Sequence, residues 1–197
     1  VAPANPEVLY AIVEAANGEG GVFRSTDRGE TWEKRSSYVS NSPQYYNELI
    51  PDPTNADRIF SMDTFMHVSD DGGKSFTRVP MPDVHVDSHA LWIDPRDTRH
   101  MIQGNDGGLY ETFDGTNWRH VTNLPVMQFY RVAVDNAAPF YNVYGGTQDN
   151  STLGGPSRTF DRMGIANEDW FLVVGGDGFE PAIDPEDHNI VYGQWQH

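Results

Sequence analysis

Two aspartates stand among glycines. Asn105-Asp106-Gly107-Gly108 and Gly175-Gly176-Asp177-Gly178-Phe179 each set a carboxylate in a glycine turn, at matching places relative to neighbouring strands. An aspartate beside glycine is ordinarily a turn residue; one aimed into a cleft is a group for chemistry. A second candidate is His85-Val86-Asp87-Ser88-His89. On an extended strand alternate side chains share a face, so His85, Asp87 and His89 point the same way. Such a face can hold a divalent metal through imidazole and carboxylate, orient a sugar, or remain a hydrated polar surface. Side chains at i and i+2 lie about 6–7 Å apart, so a single ion would need ligands from elsewhere as well. The third candidate is Gln148-Asp149-Asn150, a dense polar cluster straight after an apolar strand. With Arg158, Trp92 and Trp195 it makes a sugar-binding lip, aromatics stacking on sugar faces and amides bonding hydroxyls. The alternative is a loop that caps its own backbone.

What must position these groups is a repeat. Ser25-Thr26-Asp27-Arg28-Gly29-Glu30-Thr31-Trp32 and Ser69-Asp70-Asp71-Gly72-Gly73-Lys74-Ser75-Phe76 share one pattern: Ser, any, Asp, any, Gly, any, Thr or Ser, aromatic. A worn third copy ends in Phe113-Asp114-Gly115-Thr116-Asn117-Trp118, and Asp27, Asp71 and Asp114 are spaced 44 and 43 residues apart. The loop aspartates Asp52, Asp94 and Asp135 give 42 and 41. A fixed period in this range marks a repeat architecture. Each period carries short apolar or β-branched runs bounded by turn residues, as at 89–93, 100–104, 108–112 and 118–121, and none sustains a helical pattern. The expectation is an all-β fold, a β-propeller of four-stranded antiparallel blades. Blades fall at 1–40, 41–83, 84–124 and 125–176, with an incomplete one at 177–197. Asn150 to Glu168 has no copy of the motif and reads as a long loop on the fourth blade. Four blades and part of a fifth imply a piece of a longer chain, whose remaining blades are partners. The opening Val1-Ala2-Pro3, without Met, fits a processed or excised N-terminus.

The motif has its own physical reading. Asp27 and Asp71 can accept hydrogen bonds from the turn's own N–H groups. Gly29 and Gly73 can supply a positive φ, and Trp32 and Phe76 can pack between blades. Ser25, Asp27, Gly29, Trp32, Ser69, Asp71, Gly73, Phe76, Asp114 and Trp118 are therefore assigned to structure.

Composition narrows the partners. Thirteen Lys and Arg against 29 Asp and Glu give a net charge of −16. Nucleic-acid binding depends on neutralising phosphates, so this balance argues against nucleic acid and anionic membranes. Cysteine is absent, which removes disulfides, thiolate metal sites and a Cys nucleophile without fixing the compartment. The longest apolar run, Val8 to Val13, is far below the ~18–20 residues of a membrane helix.

Ser25–Trp32 and Ser69–Phe76 resemble the Asp-box, or bacterial neuraminidase repeat. The resemblance extends through His85–Pro95, Gly104–Gly108, Tyr144–Thr152 and Pro156-Ser157-Arg158. Together these are similar to large exported bacterial proteins of the glycosyl-hydrolase-like or sortilin-type propeller group. That resemblance implies an extracellular or periplasmic protein that recognises a polysaccharide. In the related oligoxyloglucan-hydrolase family the catalytic aspartates also sit in glycine-flanked turns. Carried over, one of Asp106 and Asp177 is a general acid and the other a base, as in two-carboxylate glycoside hydrolysis. His85, Asp87, His89, Trp92, Gln148, Asp149, Asn150 and Arg158 are then substrate-binding. The competing class is a non-catalytic sortilin-type propeller that grips a protein or peptide. No cofactor is expected, a divalent metal at His85, Asp87 and His89 being the alternative.

Overall fold

The computed structural model describes residues 1–124 and 126–196. The chain forms antiparallel sheets whose strands follow one another in sequence. Blade 1 contains β1 (Leu9–Val13), β2 (Gly21–Ser25) and β3 (Glu33–Ser36); blade 2 contains β4 (Leu49–Pro51), β5 (Ile59–Ser61), β6 (His67–Ser69) and β7 (Thr77–Arg78). Blade 3 contains β8 (Ser88–Ile93), β9 (Met101–Asn105), β10 (Gly108–Thr112) and β11 (Arg119–His120). Blade 4 contains β12 (Arg131–Val134), β13 (Asn142–Gly146), β14 (Thr152–Pro156) and β15 (Phe171–Val174). The last pair is β16 (Ala182–Ile183) with β17 (Val191–Tyr192). The helical structure described is limited to single 3₁₀ turns at Ala16–Gly18 and Asn167–Asp169. Two compact units result, Val1–Asn123 and Leu124–His197.

The stretch expected to be a long loop is corrected here. Thr152-Leu153-Gly154-Gly155-Pro156 is β14, paired on one side with β13 and on the other with β15. Its glycines disguise it, and the structure shows their use. A Cβ at Gly154 would lie 2.7 Å from the rings of Phe171 and Tyr144, and one at Gly155 2.5 Å from Trp170. Glycine in a strand commonly marks such a close approach. The strand is a bed for aromatic rings.

In the first unit the core lies between blades 2 and 3. Phe60, Met62, Met66, Val79, Leu91, Ile93 and Met101 are buried together, with Trp118 packed against them. Each large apolar side chain removed from water contributes about 1.5–3 kcal/mol. Leu91 and Ile93, two apart on β8, both face this core because side chains alternate along a strand.

The motif turns are locked as the sequence implies. Asp27 accepts from Thr31 N (2.9 Å), Thr31 Oγ1 (2.5 Å) and Ser25 Oγ (2.6 Å). Asp71 accepts from Lys74 N (2.9 Å), Ser75 N (3.0 Å), Ser75 Oγ (2.6 Å) and Ser69 Oγ (2.8 Å). Asp114 does the same for Thr116 N (2.8 Å) and Asn117 N (2.7 Å). The Ser25 and Thr31 hydroxyls hold the Asp27 carboxyl down at about 2. The Ser75 hydroxyl lowers Asp71, and the Asn117 amide lowers Asp114. Two residues in succession take positive φ: Arg28 (60°) and Gly29 (94°), then Gly72 (69°) and Gly73 (84°). At Gly72 a Cβ would meet the Arg24 guanidinium at 2.8 Å. In blade 1 the matching position is Arg28, which pairs with Glu7.

Trp32 is 44% exposed and donates its indole N–H to Gly29 O (3.0 Å). Phe76 stacks on Tyr38, ring centroids 4.1 Å apart.

Candidate functional site

The histidine run does not form one face. β8 begins only at Ser88, after Asp87 N has donated to Thr64 O (2.9 Å) and Ser88 N to Asp63 O (3.0 Å). Asp87 has φ 65°, which breaks the alternation the sequence implied. A bulge follows: Ser88 faces Asn105 and Ala90 faces Gly104, leaving His89 as the extra residue. Bulges re-aim side chains, and this one sets His89 Nε2 2.9 Å from Asp106 Oδ1. The Tyr46 hydroxyl donates to Asp87, and its ring lies 5.2 Å from the His89 imidazole. Burial, with that carboxylate second, pushes the Tyr46 phenol up. His85 turns away, its Nδ1 3.0 Å from Val86 O and its side chain pressed under Gly107. His85, Asp87 and His89 thus have three different partners. Among the described residues no three His, Asp or Glu side chains gather where they could hold a metal.

The second unit brings Gln148, Asp149 and Asp177 together. Asp149 N donates to Asp177 Oδ1 (2.6 Å), and Asp177 N donates to Gln196 Oε1 (2.6 Å). Backbone bonds from Gly178 N to Thr147 O and from Ser151 N to Gly176 O, both 2.9 Å, brace the two loops. The brace is possible because two glycines meet. A Cβ at Gly146 would lie 2.4 Å from Phe179 N, and one at Gly178 2.3 Å from Thr152 Oγ1. Asp149 (φ 59°) and Ser151 (φ 76°) hold left-handed backbone inside the braced turn, conformations that cost roughly 1–3 kcal/mol each and cluster at ligand sites.

Beside this brace is a cleft of about 400 Å³. Tyr130, Phe179 and Trp195 supply its aromatic walls, and Asp177 with Gln148, Gln194 and Gln196 its polar groups. Tyr130 and Phe179 have ring centroids 5.4 Å apart, and the Tyr130 hydroxyl donates to Gln148 Oε1 (2.8 Å). Trp195 is 54% exposed. Asn150 donates its side-chain N–H to Gln148 O (3.1 Å). Arg158 is not part of this lip. It follows the far end of β14 and lies over the Phe140 ring at 5.9 Å. Trp92 belongs to the first unit, edge-on to His100 with centroids 5.4 Å apart. Sequence reasoning missed Tyr130, Gln194 and Gln196 as site residues. The amide–indole–amide run Gln194-Trp195-Gln196 was the available signal.

No protein-family model and no curated protein sequence matches this chain. Among solved structures the fold matches the GH74 enzyme of Niastella koreensis with a TM-score of 0.52 and 15% identity. The match covers 97% of this chain and 32% of that one. The chain is a β-propeller. The GH74 xyloglucanase of Xanthomonas campestris aligns at a TM-score of 0.47 with 19% identity, over 97% of this chain and 33% of its own. YCF48 from Cyanidioschyzon merolae aligns at 0.42 with 16% identity, over 92% and 57%. The chain spans about a third of the length of the GH74 proteins it matches.

Proposed function

We propose that this propeller recognises a polysaccharide, and that the cleft of the second unit is where a stretch of the sugar chain lies. The carrying observation is the lining: three aromatic faces, three carboxamides and one carboxylate on a braced backbone. Sugar rings offer apolar faces for stacking and hydroxyls for amide bonds, and a site with few, fixed polar groups gives orientation. The hairpins at Asp27, Asp71 and Asp114 are read as Asp-boxes of an exported protein, which supports the same assignment. The net charge of −16 favours uncharged chains over anionic ones. Asp106 and Asp177 are the carboxylates proposed for a hydrolytic activity, each with a hydrogen-bonded neighbour in its own unit.

Calorimetric titration with a panel of soluble polysaccharides tests this. At least one should bind, and Trp195→Ala should weaken it roughly tenfold, about 1.4 kcal/mol, with unchanged unfolding. Binding indifferent to Trp195→Ala and Tyr130→Ala would remove the cleft from the assignment, and binding of peptides alone would replace sugar with a protein ligand. A reducing-end assay on the Asp106→Asn and Asp177→Asn variants reads hydrolysis separately.

A further inference from the structure

The polar groups of the cleft are not interchangeable, because the chain has already used one end of two of them. Gln196 Oε1 accepts from Asp177 N (2.6 Å). A backbone N–H can only donate, so the end of the Gln196 amide held there is its oxygen. Glycine makes the room: a Cβ at Gly176 would lie 2.6 Å from Gln196 Oε1. Gln148 is set the same way, its Oε1 accepting from the Tyr130 hydroxyl (2.8 Å). A carboxamide has one acceptor oxygen and an amino group with two donors. With both oxygens engaged, Gln148 and Gln196 offer a ligand N–H. Among the described residues neither Nε2 has a hydrogen-bond partner.

The opposite polarity comes from Asp177. Its Oδ1 receives Asp149 N (2.6 Å), and a carboxylate has acceptor sites beyond that one bond. The rest of the wall is aromatic, Tyr130, Phe179 and Trp195. Two donors, one acceptor and apolar ring faces therefore share about 400 Å³.

A sugar hydroxyl meets only part of that set, since it has no apolar end to lay on a ring. An acetamido group meets all of it. Its carbonyl takes the carboxamide donors, its N–H donates to the carboxylate, and its methyl rests on an aromatic face. An anionic substituent would also take the donors, but beside Asp177 in a chain of net charge −16 it is repelled.

We infer that the cleft selects sugars carrying an N-acetylamino group, so that its ligand is a polymer of acetamido sugars. This rests on the polysaccharide reading of the cleft and adds its chemical selectivity. Gln148 and Gln196 read the carbonyl. Tyr130 is a positioning residue as well as a wall, because its hydroxyl decides which end of Gln148 faces the ligand.

Calorimetric titration tests it with two probes of equal length and linkage, oligomers of β-linked N-acetylglucosamine and of β-linked glucose. The acetamido oligomer should bind at least about tenfold more tightly, as one added hydrogen bond implies. Gln148→Glu exchanges the amino group for an acceptor oxygen at constant shape and should remove most of that preference. Tyr130→Phe deletes only the hydroxyl and keeps the ring for stacking. It should lower the preference while the glucose oligomer binds as before. A glucose oligomer bound as tightly as its acetamido counterpart would overturn the selectivity and leave the polysaccharide assignment standing. A preference untouched by both substitutions would overturn it as well. Binding of neither oligomer, nor of any polysaccharide in the wider panel, would bring down the assignment of the cleft with it.

Discussion

The turn at Asp71 and the turn at 147–151 both reverse the chain between antiparallel strands, and they are held in opposite ways. At Asp71 the carboxylate belongs to the turn and accepts the turn's own amides and hydroxyls. At 147–151 the carboxylate comes from another loop, Asp177 reaching over to Asp149 N. In the first, the bonds to the carboxylate come from the hairpin itself, while the turn's backbone is also tied to Arg35, whose Nε donates to Gly72 O (3.0 Å), and to Asp57 O, which accepts from Gly72 N (2.8 Å). The second ties two loops together, and a cleft opens beside the tie. A self-satisfied carboxylate is scaffold; a carboxylate shared between loops sits where geometry serves something outside the turn.

The strongest way to break this contrast is to remove the cross-brace. Gly146→Ala puts a methyl group 2.4 Å from Phe179 N and 2.6 Å from Gly178 C. It should cost about 1–3 kcal/mol or more as overpacking, and it should abolish polysaccharide binding by displacing residues 177–179. Urea unfolding and titration read the two effects, and retained affinity would separate the brace from the cleft. Removing a self-contained lock should do the reverse. Asp71→Ala strips the acceptor from two backbone N–H groups and two hydroxyls, of which that of Ser69 is buried. We expect a loss of about 1–2 kcal/mol with affinity unchanged; a fall in affinity would erase the distinction between the two kinds of turn.

The smallest effect is on pH dependence. The Asp27 carboxyl sits at about 2 in the folded chain, against about 4 in an unfolded one. Its folded value is the lower, so its stabilisation is present above about pH 4 and is lost as pH falls toward 2. Asp27→Asn should flatten the acid limb of a stability–pH curve over that interval. An unchanged slope would mean that the lock does not depend on the ionised form.

Much of the scaffold is legible in the residues. β2 and β10 fall where the repeat puts them, because Gly21 and Gly108 mark their starts and the motif Ser25 or Thr112 their ends. β14 was hidden because its glycines serve aromatic neighbours contributed by distant residues, Phe171 and Trp170, which a local pattern cannot show. The same limit explains His85, Asp87 and His89. Period-two reasoning presumes an extended chain, and Asp87 leaves it through a left-handed backbone held by Thr64 and Tyr46 from another blade. Gln148, Asp149 and Asp177 were legible as candidates by density of polar groups, whereas their meeting depends on glycine contacts between loops nearly thirty residues apart.

The hydrogen bond that recurs after each innermost strand has a consequence for how such a chain can change length. Asp52, Asp94, Asp135 and Asp184 begin turns of the same bonding, their N–H groups donating to the carbonyls of Arg58, His100, Asn142 and Ile190 in turn. A recombination that joins any two of them therefore gains or loses a whole period and keeps every strand in register. A crossover between non-equivalent positions that shifts the alternation by a residue would turn apolar side chains outward. Copy number is therefore free to drift in unit steps, and the loops that differ between copies are where new ligands can be acquired without disturbing the pairing beneath.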